Sequence, residues 1–241
     1  MARFMHGGVI GGLLPSSLHY VTSSYRTSIS ANPVVLSGLD FGAAVTGINE
    51  KWGWVSIVVD GDSTVNFTSA TIGGISGSVI YQATASGWGS PVFSGPFTLA
   101  MWTAQIDSLT SGVTVQFSED TSTSMYVQVG YAVNIDMSAV VDSAVGGAVT
   151  TTVSLSIDCP AKGAIIGHGQ YGYSGAGPGI GNVGGGFANL DLMQNQQISA
   201  GSGSIMDGSI FSSAQTGLDV SFTPTPSNSY PSAYAVSFAG V

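Results

Sequence analysis

Short runs rich in β-branched and aromatic residues, with partial alternation of apolar positions, recur along the chain, and no stretch shows the 3.6-residue return of an amphipathic helix. GVTVQFS (112–118) is the plainest case: Val113, Val115 and Phe117 share one face of an extended strand. TVNFTSATI (64–72), TLAMWTAQI (98–106), MYVQVGYAVNI (125–135) and TTTVSLSI (150–157) repeat the pattern. KWGWVSIVVD, KGAIIGHG, LDVSFTP and SAYAVSFAG continue the series. Asp60-Gly61-Asp62, Gly73-Gly74 and Asp207-Gly208 read as turns between strands. Only 138–149 and 189–199 leave room for a helical turn, and both are rich in Gly, Ser or Asn. Many short, evenly spaced strands predict an all-β fold of about 12 to 15 strands, a β-sandwich or jelly-roll-like body with an extended N-terminal arm.

Charge sets the next constraint. Charged residues make up 7% of the chain, against about 25% in ordinary soluble domains. A surface so poor in charge is expected to be covered in an assembly or to work outside the cytoplasm. The charges are also skewed. Arg3 and Arg26 give residues 1–39 a charge of +2, while two lysines against 13 acids leave the remainder at −11. Nucleic acid is an unsuitable partner for so few cations. No apolar run approaches the roughly 20 residues of a membrane-spanning helix, so no membrane partner is expected. The start, MARFMHGGVIGGLLPSS, imitates a signal peptide, but His6 and four glycines interrupt its apolar stretch and no A-x-A site follows. Residues 1–31 are read as an anchoring arm, with Arg3, Phe4, Leu13, Leu14 and Arg26 as its contact residues; an edge strand with a loose end is the competing reading. Residues 32–241 are read as a single large β-sandwich domain.

The stretch SGAGPGIGNVGGG (174–186) contains a literal G-x-G-x-x-G at 179–184. A dinucleotide turn needs a strand running into the first glycine and a helix after the last. Here GQYGYSGAGP precedes the motif and Gly185-Gly186-Phe187 follows it, so neither requirement is met and no cofactor is expected. The stretch reads instead as an adaptable loop. Its flanking aromatics Tyr171, Tyr173 and Phe187, with Trp88 in Ser86-Gly87-Trp88-Gly89-Ser90, are the expected contact-loop residues.

Other chemistry-bearing residues are scattered. His6, His19 and His168 lack metal-ligand spacing. Cys159 is the only cysteine, which excludes an internal disulfide, and it reads as a small buried thiol rather than a nucleophile paired with His168. Asp60-Gly61-Asp62-Ser63 resembles half a calcium loop but reads as a hairpin turn. Glu119-Asp120 is an acidic pair on a solvated turn, and no G-x-S-x-G elbow occurs. No catalytic or metal-binding residue is nominated. Trp52 and Trp54, two apart, share a strand face, and Trp102 reads as core.

LSGLDFGAAV (36–45), SATIGGISGSVIYQAT (69–84), TSGVTVQFS (110–118) and PAKGAIIG (160–167) together resemble a group of Gly/Ser/Thr-rich bacteriophage virion surface proteins, of which "FSGVDFGAA … SVTIGGVSA … TVTF" is a typical reading. The likeness spans roughly residues 34–170 and consists of strand-and-turn pattern, with no catalytic residue to carry over. It implies a β-sandwich displayed on a head or tail. On this basis the chain is expected to be a non-enzymatic virion structural protein on the particle surface, a capsid decoration or tail-fibre accessory. Other capsid or tail proteins would be its partners, and it would be a homo-oligomer, with a homotrimer favoured. A carbohydrate-binding module or adhesin contacting a host surface glycan is the alternative, and a glycan hydrolase ranks behind it.

Overall fold

The computed structural model describes residues 14–26, 33–45, 48–60, 67–85, 97–106, 110–117, 124–147, 152–173, 184–199, 202–225 and 229–241. Among these the protein is all-β and holds no helix. The strands are β1 (Ser17–Arg26), β2 (Val34–Asp40), β3 (Lys51–Asp60), β4 (Phe67–Ile72), β5 (Ile75–Ser76), β6 (Ser78–Ala85), β7 (Phe97–Gln105), β8 (Thr110–Phe117), β9 (Ser124–Val133) and β10 (Ile135–Asp136). They continue as β11 (Asp142–Gly147), β12 (Ser156–Cys159), β13 (Ala164–Tyr173), β14 (Gly184–Phe187), β15 (Leu192–Ser199), β16 (Ser202–Ile210), β17 (Gln215–Asp219), β18 (Phe222–Thr225) and β19 (Ser229–Gly240).

Pairing divides the chain at Asn134. Strands before it form a five-stranded sheet, β1-β9-β3-β7-β6, and a four-stranded sheet, β2-β8-β4-β5. Strands after it form a six-stranded sheet, β10-β19-β13-β16-β15 with β11 also on β19, and two two-stranded ribbons, β12-β17 and β14-β18. Each apolar cluster joins neighbouring sheets. The first joins Val113, Val115 and Ile72 of the four-stranded sheet to Val55, Ile57 and Trp102 of the five-stranded one. The second joins Trp54, Val58 and Met101 to Ile166, Tyr234 and Phe238 of the six-stranded sheet. The third joins Ile165, Ile205 and Ala235 of that sheet to Ile157, Phe187 and Phe222 of the ribbons.

The two central sheets are therefore buried on both faces, and their middle strands carry apolar side chains without alternation. KWGWVSIVVD sends Trp54 and Val58 one way and Val55 and Ile57 the other. This is the continuous run expected of a strand covered on both sides. Trp52 packs partly buried on the same side as Trp54, and Trp102 is core, as their spacing and surroundings predict.

Close approach of the layers needs small residues. A Cβ on Gly130 would lie 2.1 Å from the Trp54 ring; on Gly167, 2.8 Å from Phe187; on Gly169, 2.6 Å from Phe222. Gly167 and Gly169 are flat seats for aromatic rings of the ribbon layer, while Gly130 makes room for Trp54, its ladder neighbour in the same sheet. Phe187 and Phe222 also meet each other, tilted by 35° with 4.9 Å between centroids.

Three sequence expectations are corrected here. Residues Ser17–Arg26, expected within an arm reaching away from the body, form the edge strand β1, paired with β9 along its length with one bulge at Tyr20/Thr22. Nine residues find ladder partners there, which satisfies backbone groups that an arm would leave to solvent. Asp207-Gly208 is no turn but mid-strand in β16, paired with β13 and β15. Segments 138–149 and 189–199 hold strands β11 and β15 where a helical turn would fit. Gly73-Gly74 is a turn as expected, with φ of 65° and 78° that favour glycine.

Gly169→Ala should lower stability by about 1–3 kcal/mol, the usual cost of overpacking a close-packed core. Guanidinium unfolding of the variant against the parent checks this.

Candidate functional site

Arg3, Phe4, Leu13 and Trp88 lie outside the described residues, as do Glu119-Asp120, Gly61-Asp62 and Gly179–Val183. Arg26 closes β1 and Tyr173 closes β13. Leu14 is exposed. Tyr171 and Phe187, expected on a contact loop, are instead 1% and 5% exposed. Both point into the cluster between the six-stranded sheet and the ribbons. The physical reason is the row of small residues beneath them, Gly167, Gly169, Ala233 and Ala235, which leaves space that only large rings from the same cluster fill. Gly184 opens strand β14, not a helix. Gly185 (φ 127°) and Gly186 serve backbone approach: a Cβ on Gly185 would meet the Thr223 carbonyl at 2.4 Å, and one on Gly186 the Asp207 carboxylate at 3.0 Å.

His6 lies outside the described residues, and His19 and His168 do not converge. His19 on β1 stacks on Tyr131 at 4.4 Å. His168 on β13 is wholly buried between the two central sheets. Its Nδ1 pairs with Ser56 Oγ of β3, and its Nε2 lies 2.9 Å from Ser204 Oγ of β16. Ser56 Oγ also pairs with the Tyr234 hydroxyl, and Gln128 Nε2 donates to Ser204 Oγ at 2.8 Å. Serine beside histidine is the chemistry of a nucleophile and its base. Here Ser56, His168 and Ser204 have no solvent exposure, so no substrate carbonyl reaches them. Burial holds the His168 imidazole at about 3, far below its ordinary 6.5, so it is neutral. This network ties the sheets together in one register. Cys159 is buried with its thiol pushed up to about 11 by desolvation, which suppresses the thiolate. Among the described residues no three His, Cys, Asp or Glu side chains gather as a metal site.

The surface feature that remains is an open pocket of about 320 Å³ lined by Val45, Asn49, Lys51, Ile75, Gln105 and Ile106. It sits at the start of β3. Lys51 Nζ donates to the Gly42 and Ala43 carbonyls, each at 3.0 Å, and lies over the Tyr131 ring at 4.7 Å. Burial lowers its pKa, and nearby Asp40 partly offsets that.

Beside the pocket, Asn134 binds several chain segments at once. Its φ of 53° is a left-handed conformation that asparagine tolerates. Its Nδ2 donates to the Leu14 carbonyl at 2.6 Å and to Asn49 Oδ1 at 2.9 Å. Its Oδ1 accepts from the Glu50 amide, and its carbonyl accepts from the Val241 amide. Leu14, Ile48 and Val241, all exposed, stand around this hub with relative exposures of 45%, 68% and 44%. The result is an apolar-rimmed, amide-lined end face, with the Ser16 hydroxyl donating to the Asn134 carbonyl at 3.1 Å.

Sequence reading missed Lys51, Asn49, Gln105 and Asn134. One signal was present: Lys51 is one of only two lysines, and it stands at the start of a strand otherwise free of cations.

Comparison of the chain with protein-family models, with curated proteins and with solved structures returns no match.

The neutral, buried His168 makes the protein acid-sensitive. Its folded pKa is below its unfolded value, so its contribution is complete above about 6.5 and lost as pH falls toward 3, by at most about 1.4 kcal/mol per pH unit. His168→Gln should flatten that acid-side slope in guanidinium midpoints measured between pH 6.5 and 4.

Proposed function

We propose that the protein is a non-enzymatic structural component displayed on the surface of a bacteriophage virion, a capsid decoration or fibre-like accessory. It works as a homo-oligomer, with a trimer favoured, and residues ahead of β1 attach it to other particle proteins. The observation that carries this reading is the end face: exposed Leu14, Ile48 and Val241 surround a buried polar hub, in a chain with only 7% charged residues. Uncharged apolar rims of this kind suit burial against another protein. The segments that carry the resemblance to virion proteins fall in β2, in β4 to β6, in β8 and at the start of β13, the strands and turns that such a likeness consists of. We read the stacked sheets as sandwich-like, with one face-packed pair before Asn134 and a second after it.

A second reading has its own support. Asn49 and Gln105 line the open pocket with side-chain amides, groups that hydrogen-bond sugar hydroxyls. Under it the protein is an adhesin that takes a surface glycan beside the rim.

The truncation that tests the first reading stops at residue 13, because removing residues up to 31 would delete β1. Native mass should give a trimer or larger ring for the full chain. The chain lacking residues 1–13 should stay folded and lose particle binding. A monomer at high concentration, with particle binding indifferent to the truncation, overturns the virion reading; glycan-array binding abolished by Gln105→Ala would then favour the adhesin.

A further inference from the structure

Asp207 occupies a position that neither the fold nor the end face accounts for. It lies mid-strand in β16, opposite Gly167 of β13, and is 1% exposed. Its Oδ2 accepts the Phe187 amide of β14 at 2.7 Å. The Met193 amide, in the bulge where β15 skips a rung between Leu192 and Gln194, favours the carboxylate as well, though less. Its Oδ1 is buried with no hydrogen-bond partner. One side chain thus fastens both strands that flank the turn at 188–191, using one oxygen, and leaves the other unsolvated.

The surroundings are nearly free of titratable groups. β14, β15 and β18 carry none. On β13, His168 points to the opposite face of the sheet, and Tyr171 lies four residues along the strand. Cys159 lies in the same cluster, with its thiol neutral. Asp191 in the turn is the charged group that bears on Asp207, and it repels a second negative charge. Asp191 is held by Ser209, whose Oγ donates to it at 2.8 Å. A buried oxygen with no donor and an acid nearby both disfavour the ionised form.

We propose that Asp207 is a proton-operated latch: protonated, it holds β14 and the bulge of β15 down on β16, and ionised, it drives that flap to open so that the carboxylate can hydrate. The unpartnered Oδ1 takes the proton, while Oδ2 keeps the Phe187 amide. Opening lifts Phe187 off Phe222 and Gly167 and exposes the ribbon layer. The midpoint lies near neutrality, since burial and Asp191 raise the carboxyl to about 7 against the two amides. The sign follows from linkage. A raised folded pKa gives a contribution complete below about 4 and lost as pH rises through about 7. This opposes the slope from His168, so the two are separated by a variant and a local probe.

The experiment is hydrogen exchange by mass spectrometry on the full chain at pH 5, 6, 7 and 8, corrected for intrinsic rates, comparing peptides that cover 184–199 with peptides from β13. In the parent, protection of 184–199 should drop at least tenfold between pH 6 and 8 while β13 stays protected. Asp207→Asn, which mimics the protonated acid, should abolish the drop, and its Tm relative to the parent should be several degrees higher at pH 8 than at pH 5. Asp191→Asn should move the drop to lower pH, because the acid that raises the Asp207 carboxyl is gone. Protection of 184–199 that is flat with pH in the parent, or a drop retained in Asp207→Asn, overturns the latch. If Asp207→Asn does not fold, a ¹³C titration of the parent decides: a carboxyl midpoint above 6 supports the latch, and one below 5 overturns it.

Discussion

Trp54 of β3 lies over its ladder neighbour Gly130 of β9, and its ring fills the space between the five- and six-stranded sheets. Any side chain at 130 would collide with the ring. A glycine within the five-stranded sheet thus makes room for the large ring that this sheet presents to the six-stranded one. Because each central sheet is covered on both faces, β3, β13 and β19 have no solvent side on which to place polar residues. The third and fourth layers repeat the device, with Phe187 and Phe222 lying on Gly167 and Gly169. Interiors packed to this density respond to even one added methyl group.

Two buried polar side chains sit on opposite sides of the six-stranded sheet and meet different fates. His168 finds Ser56 and Ser204, one for each ring nitrogen, and stays neutral at every physiological pH. Asp207 finds a donor for one oxygen only. Desolvation moves both groups toward their uncharged forms: the histidine down, the acid up. The difference lies in satisfaction. A network with both ring nitrogens paired locks register, while a half-paired acid leaves a free-energy gap that protonation closes. The first therefore acts as a rivet between sheets and the second as a fastening that responds to pH.

The end face around Asn134 collects what the layers leave over. Leu14, Asn49, Glu50 and Val241 come from remote parts of the chain, and a single left-handed asparagine bonds to all four. Leu14, Ile48 and Val241 stay exposed beside it among the described residues. The aromatic contact surface expected from sequence is not made by Tyr171 and Phe187, because both are consumed by the core.

The sequence by itself determined the all-β class, the absence of helical periodicity, the shared face of Trp52 and Trp54, the buried face of Val113 and Val115, and the turn at Gly73-Gly74. These depend on local periodicity and on backbone preference, which a linear pattern carries. Only the tertiary structure decided which rings are buried: Tyr171 and Phe187 look like loop aromatics, but Tyr171 is core on β13 and Phe187 lies over Gly167. It decided that 17–26 is an edge strand, because the ladder partner on β9 lies about 100 residues downstream. It also decided that Asp207, which reads as a turn acid beside Gly208, is a buried carboxyl. Burial and hydrogen-bond satisfaction are properties of what is brought near a residue, and a period-two pattern says which way a side chain points but not what it meets.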